Sequence, residues 1–312
     1  MPTYHDVSRQ TSNVALPAEV SQEVWAAAVH ESAFMQLARR INIPGTGTTV
    51  QTITGEPTAD WVAETNAKPV SAHAFGKKTI TPYKLAVIEL FSTEFLRDKA
   101  ALYDECVRRL PAALSKKFDS TIMSSSAPGS GFDVLGTGVA TQSILAASSP
   151  TAISVYDRFV AIDAAISEAN GIMNAIALAP QGKSIVLGAV DQTGRPLFTP
   201  GVQSNTVGNI LGADVAVNKG VYVAGTAGAT PATVGVAGDF SGVVWGSVEG
   251  VKMSVSDQAT VVDGNSNTIS LWQNNMVGIR FEIEVAFAVM DKSQLVLLTG
   301  STPAATTTTT GQ

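Results

Sequence analysis

Three histidines, one cysteine and one oxygen-rich pentapeptide are the residues of this chain whose types could do chemistry. Metal catalysis or nucleophile activation needs ligands, acids and bases that converge, and in a sequence that shows as short fixed spacings. His5, His30 and His73 stand far apart, and none has a neighbour at ligand or general-base spacing. No Gly-x-Ser-x-Gly elbow, His-Glu-x-x-His pair or phosphate loop occurs. Gly45-x-Gly47 reads as a helix stop, because no helical pattern opens after it to receive a phosphate. Asp263-Gly-Asn-Ser-Asn267 places oxygens at calcium-like spacing but lacks the distant Glu of a calcium loop, and reads as an Asp-Gly turn. The single Cys106 excludes an intrachain disulfide and a multi-cysteine metal cluster, and its place on an apolar helical stripe suits a small buried hydrophobe. The expectation is a protein without catalysis, cofactor or metal.

What remains are residues suited to contact. Between Gly55 and Lys78 the chain has Pro57, Pro69 and Gly76, few large apolar groups, and the aromatics Trp61 and Phe75. A loop this long is functional or unstructured, and its aromatics call for burial against a partner. Lys77-Lys78 reads as a solvated or interfacial charge pair at the loop base.

The elements that must position this loop follow from periodicity. Residues 1 to about 17 lack periodicity and read as an arm. A helix is expected from Glu19 to Arg40, with its stripe broken near Ser32, and Pro44-Gly45-Thr46-Gly47 stops it. Thr48–Thr54 and Thr79–Phe91 read as extended, with Pro82 tolerable only at an edge. From Ser92, the residues Phe95, Leu102, Cys106, Leu110, Leu114, Phe118 and Ile122 keep i, i+3/i+4 spacing for about thirty residues, a rod of roughly 45 Å. Ser92 or Thr93 is the expected cap, with Glu94 in the first turn. Pro111 in mid-stripe predicts a bend near Arg108–Pro111. Gly129–Gly138 is a turn. Ser154 with Asp157 forms a capping box opening a helix on Phe159, Ile162 and Ile166, which Asn170-Gly171 stops. Ile172–Leu178 reads as a buried strand, Pro180–Val190 as a short helix, Asp191–Gly194 as a turn, and strands with Gly-rich turns dominate from Asp214. The clearest strand, Val277–Val289, alternates one dry face with one wet face. Ser301–Gln312, with five consecutive threonines, reads as an unordered tail.

Composition sets bounds. The 312 residues can bury a sizeable core. Charged residues make up 15%, below the ~25% usual for soluble domains. Either subunit interfaces cover much of the surface, or the chain is an extracellular or Ala/Gly/Thr-rich protein. The net charge of −6, with no run of five basic residues, leaves no strong footprint for nucleic acid, so any DNA contact is expected to be weak and nonspecific. No signal-peptide pattern opens the chain and no uncharged apolar run reaches eighteen residues, so no membrane partner and synthesis in a reducing cytoplasm are expected.

The order of parts resembles the major capsid proteins of tailed bacteriophages, the Hong Kong 97 fold. In that family an arm-like hairpin, the E-loop, often carries Trp-x-x-Glu near its tip, here Trp61 and Glu64, and returns through two strands into a long spine helix. Ser92-Thr-Glu-Phe-Leu-Arg-Asp98 looks like the start of the spine, and Gly129-Ser-Gly-Phe-Asp-Val-Leu-Gly136 like the turn after it. Asp191-Gln-Thr-Gly-Arg-Pro-Leu-Phe198, Val236-Ala-Gly-Asp-Phe240 and Val277-Gly-Ile-Arg-Phe-Glu282 follow in the family's order.

The resemblance implies an α+β fold with an N-terminal arm and first helix (1–47), an extended E-loop (48–91), a spine helix and turn of a peripheral P-domain (92–136), an axial A-domain (137–270), return strands of the P-domain (271–300) and a tail (301–312). It implies a non-enzymatic shell protein forming hexamers and pentamers of an icosahedral phage head around double-stranded DNA, with scaffolding, portal and decoration proteins as partners. It places the protein in the virion after assembly in the host cytoplasm. Members exist with a charged helical scaffold ahead of the arm, removed by proteolysis; this sequence has none, so either scaffolding is a separate protein, which the retained Met1 favours, or this is the processed form. Contact candidates are Trp61, Glu64, Phe75, Lys77 and Lys78. Some members join a loop lysine to a neighbour's asparagine, for which Lys68, Lys77 or Lys78 would be donors and Asn274 or Asn275 acceptors. Two alternatives stay open: an encapsulin-like compartment enclosing protein cargo, and an α/β enzyme with a long lid over residues 150–200.

Overall fold

The computed structural model describes residues 31–55, 61, 62, 68, 70, 74–94, 100–146, 153–190, 208–226, 230–262 and 267–300. The expected arm (1–17), the Asp191–Gly194 turn, the Asp263-Gly264 turn and the tail lie outside them, as do His5, His30 and His73.

Among the described residues, two sheets and two ribbons carry the fold. In the first sheet the long strand β14 (Met276–Val289) is central. On one side it pairs antiparallel with β4 (Tyr83–Ser92), in register from Met276↔Ser92 to Val285↔Tyr83. On its other side lie β11 (Lys252–Ser256) and β10 (Val243–Ser247), and β1 (Arg39–Asn42) runs parallel to β10. The second sheet is mixed, in the order β5 (Ala140–Ser143), β15 (Leu295–Thr299), β9 (Thr233–Gly238), β6 (Ala175–Leu178), β8 (Ala213–Val217) and β7 (Asn209–Ile210). The ribbons are β2 (Thr48–Gly55) with β3 (Ala74–Ile80), and β12 (Thr260–Val262) with β13 (Thr268–Ser270).

The described helices include α1 (Ala33–Leu37), α2 (Ala100–Met123), α3 (Val155–Glu168) and α4 (Pro180–Leu187). Alternation within the second sheet separates two cores. Ala175, Ala177, Val236, Leu295 and Leu297 point to a core shared with α1, α2 and the first sheet, whereas Ile176, Leu178, Val234, Val296 and Leu298 point to one closed by α3 and α4. Phe287 of β14 is the hub of the shared core. Its ring lies 5.6 Å from Phe34 of α1, 6.3 Å from Phe118 of α2 and 6.1 Å from Phe132. Such pairs add about 0.5–1.5 kcal/mol each beyond burial.

The capping box forms as expected: the Ser154 hydroxyl accepts from the Asp157 backbone N–H, and the Asp157 carboxylate accepts from the Ser154 N–H. The Ser154 hydroxyl also donates to the Asp157 carboxylate at 2.8 Å, and the two donors, first the backbone N–H and then the hydroxyl, hold the Asp157 carboxyl below its ordinary value. Phe159, Ile162 and Ile166 are buried, and Asn170 takes the left-handed conformation (φ 56°) that ends the helix.

Several expectations need correction. The helix expected to reach Arg40 is interrupted at Ser32, whose side chain instead caps α1, and Arg39–Asn42 is a strand; pairing with β10 overrides helical propensity. The loop expected over 55–78 is strand from Ala74, because β3 pairs with β2. Ser92 is the last residue of β4 and Thr93-Glu94 are helical, with Thr93 donating both its N–H and its hydroxyl to the Asn275 carbonyl, each at 2.9 Å. Gly45-x-Gly47 turns between two strands instead of stopping a helix. The strand expected from Ile172 begins at Ala175, with Ile172 exposed. β14 alternates from Ile279 to Glu284, but both faces are buried from Val285 to Val289, where Ala286 and Ala288 meet a small cluster on the far side. The sheets also cross the expected division: β10 and β11, within 137–270, pair with β14, and β15, within 271–300, pairs with β5 and β9.

Candidate assembly surfaces

In the ribbon, β2 is rich in β-branched residues, and among the described residues β2 and β3 pair only with each other, in register from Thr48↔Ile80 to Ile53↔Phe75, with an irregularity before Gly55↔Ala74. Hydrogen bonding alone gives such a ribbon marginal stability in water, so its base decides whether it stands. Ile80 is fully buried there against Ile43, Val244, Ala286 and Ala288, on the face of the first sheet opposite the shared core.

The Gly129–Gly138 turn grips the same base. The Thr81 N–H donates to the Gly131 carbonyl at 3.0 Å, and the Tyr83 hydroxyl donates to the Ser130 carbonyl at 2.6 Å. Lys78 Nζ lies 2.8 Å from Asp133 Oδ2, which also accepts from the Val289 N–H at 2.8 Å. Gly131 has φ +83°, a region that an L side chain occupies only with strain, and a Cβ there would press on Thr81. Lys292 closes the turn's far end, donating to the carbonyls of Val134 (2.7 Å) and Thr137 (3.1 Å). The ribbon's direction is thus set at Thr81-Pro82 by the glycine-rich turn.

Beyond the ribbon the contact candidates face solvent. Trp61 and Val70 are fully exposed, and Val62, Lys68 and Lys77 are exposed too. Lys78 is half-buried and tied to its own chain. Phe75 pairs through its backbone with Ile53, but its side chain, like Glu64, lies outside the described residues. Pro111 sits within α2, whose helical assignment runs uninterrupted from Ala100 to Met123; the side chains of Pro111 and Cys106 are outside the description. Leu114, Phe118, Ile122 and Met123 give α2 its buried stripe.

A second exposed point is the turn before β14. Trp272 is 67% exposed, while Leu271 beside it is buried. Asn274 donates its side-chain amide to the Ser270 carbonyl at 2.8 Å, and Asn275 is left-handed at φ 50° with its carbonyl held by Thr93. Both asparagines are exposed.

Sequence reasoning missed Asp133 and Tyr83 as clamps, Trp272 as an exposed ring, and Asp119, which is fully buried on α2. The apolar stripe passes on both sides of Asp119, but no local pattern distinguishes a buried acid from a solvated one. At Asp239, burial opposes the charge, yet donors from Ser241, Ile172 and Asn174 together hold its carboxyl below the ordinary value. This acid ties the end of β9 to the residues ahead of β6. Among the described residues no three His, Cys, Asp or Glu side chains gather as a metal site, and no helix is long and apolar enough to cross a membrane.

Comparison with known proteins gives a consistent result. The family model described as the phage capsid family matches residues 12–300. The probable major capsid protein gp17 of Mycobacterium phage D29 is 31% identical over 294 residues, covering 91% of this chain and 89% of that protein. Among solved structures, a chain of Mycobacterium phage Cain superposes with a TM-score of 0.70 at 19% identity, covering 88% of this chain and 92% of that one. The capsid of an empty GTA particle computed with C5 symmetry superposes with a TM-score of 0.60 at 17% identity, covering 87% and 90%.

Proposed function

The chain belongs to the phage capsid family, and we propose that, as a phage major capsid protein, it closes into hexamers and pentamers of an icosahedral head around double-stranded DNA. Its role is structural, and its place is the virion. Contacts that repeat head to tail and close into rings meet the symmetry requirement. DNA is held weakly and without sequence preference, in keeping with the net charge of −6. Separate scaffolding and portal proteins, and decoration proteins where the head carries them, complete assembly in the host cytoplasm.

One observation carries the reading: Trp61 is fully exposed beyond a ribbon whose strands pair only with each other. A chain that works alone gains nothing from an arm of this kind, whereas a neighbour's surface would bury it. In this reading residues 48–91 reach the next subunit, Trp61 anchors them with Glu64, Phe75 and Lys77 around it, and residues 92–136 are the frame. A bend at Pro111 is where the frame would flex as a precursor shell matures.

Negative-stain microscopy of the expressed chain tests the shell, with closed particles expected. Trp61→Ala tests the anchor. Truncating an interface hot spot costs about 2 kcal/mol or more per contact, so particle yield should collapse while the free subunit stays folded. Normal particle yield from this variant would contradict the assignment.

A further inference from the structure

Among the described ionisable groups, Asp119 stands apart. Asp119 is fully buried on α2, and its partners are neutral donors. Ser32 Oγ donates to Oδ1 at 2.6 Å and the Ala33 N–H donates to Oδ2 at 2.9 Å, while Ser32 Oγ itself accepts from the Met35 N–H at 3.1 Å. One carboxylate therefore fastens the first turn of α1 to the spine helix.

The other wall of this pocket is the 3-10 turn Lys219–Val221. A Cβ on Gly220 would meet the Lys116 carbonyl and, at 2.9 Å, the Asp119 Cβ. Asn218 ties this turn to the carbonyl of Glu31. The charged residues nearest along the chain to Asp119 and its partners are Glu31 ahead of α1, Lys116 and Lys117 on α2, and Lys219 on the turn. All four side chains are exposed, and none ion-pairs with Asp119.

We propose that Asp119 is a proton-operated latch between the spine helix and the segment Glu31–Ala38, closed when the carboxyl is protonated and loosened when it ionises. A buried carboxylate without a cation carries the full cost of desolvation, whereas the neutral acid does not. Ser32 suits both states, since its hydroxyl can donate to the carboxylate or accept from the acid. Burial pushes the Asp119 carboxyl from 3.8 up to about 7, against smaller lowering by hydrogen bonds from Ser32, Ala33 and Phe34. Because the closed form binds the proton more tightly than the open one, the latch's contribution is complete below 3.8 and is lost as pH rises through about 7. The segment it holds leads directly to the first thirty residues of the chain.

Hydrogen exchange on the full chain, with free subunits separated from particles by sedimentation, tests this at pH 6 and pH 8 after correction for intrinsic rates. Protection of the Ala33, Met35, Gln36 and Ala38 amides should fall by about tenfold between the two, as linkage requires for a group titrating near 7. Amides of α3 should hold constant. In Asp119→Asn the step should vanish, and in Ser32→Ala, which keeps the acid, it should persist on a weaker background. Equal protection of the native segment at both pH values, or an undiminished step in Asp119→Asn, would overturn the latch. The native measurement decides even where a variant fails to fold.

Discussion

Lys78 and Asp133 form an ion pair at 2.8 Å that joins the ribbon to the glycine-rich turn, and the same carboxylate oxygen holds the Val289 backbone N–H. The two partners are therefore unequal. Lys78→Met removes a partly exposed pair and should cost less than about 1 kcal/mol. Asp133→Ala also strands the N–H of buried Val289, a loss of about 1–3 kcal/mol. Urea unfolding of the free subunit should rank them in that order, and equal losses would mean that the ion pair, rather than the backbone contact, dominates.

Gly131→Ala tests the turn that sets the ribbon's direction. At φ +83° an added Cβ costs about 1–2 kcal/mol, and here it also presses on Thr81. Particle yield should fall further than free-subunit stability accounts for, because a misdirected ribbon harms every contact it makes. Sedimentation of assembly reactions beside urea titrations separates the two effects.

Phe287→Ala empties the hub of the shared core. Truncating a fully buried Phe costs about 3–5 kcal/mol, a large share of a domain's stability, so soluble yield and melting temperature should both drop steeply. Trp272→Ala, by contrast, should leave the free subunit within about 0.5 kcal/mol of native, since its ring is mostly in solvent.

Ser154→Ala should cost about 1 kcal/mol by removing the hydroxyl that caps α3. The Asp157 side of the box is pH-dependent with the opposite sign to Asp119. Its lowered carboxyl contributes stability above its ordinary value of 3.8, and that contribution is lost as pH falls through the lowered one. The gap between native and variant in urea midpoint should narrow from pH 6 to pH 3.

The proposed lysine–asparagine cross-link has a direct readout. Lys68, Lys77, Asn274 and Asn275 are exposed, while Lys78 is engaged by Asp133. Denaturing electrophoresis of assembled particles should show a ladder if any pair joins. A single band at the chain's 32.3 kDa would leave the shell held by noncovalent contacts alone.

Local signals in the sequence were faithful wherever the structure is locally determined. The Ser154–Asp157 capping box, the Phe159, Ile162, Ile166 stripe and most of β14 are written in spacings of two to four residues, and each forms. Trp61, singled out from the sequence as a contact candidate, is fully exposed. What the sequence hides depends on partners far along the chain. The break near Ser32 was visible, but not its partner: the Ser32 hydroxyl bonds Asp119, 87 residues along the chain, and Arg39–Asn42 turns to strand because β10 is beside it. The Gly129–Gly138 turn was visible as a turn, but its grip on Lys78, Thr81 and Tyr83 exists only after folding brings β3 and β4 alongside.

The shared core has a mechanical consequence. With Phe287 meeting rings from α1, α2 and the glycine-rich turn, and with Leu295 and Leu297 of the second sheet in the same cluster, no seam is left along which the two sheets could slide. If the copies close into hexamers and pentamers as proposed, the adjustment between them falls outside this core, to the ribbon beyond its fastened base and to the frame at Pro111, and the subunit would act as a stiff tile with a strap.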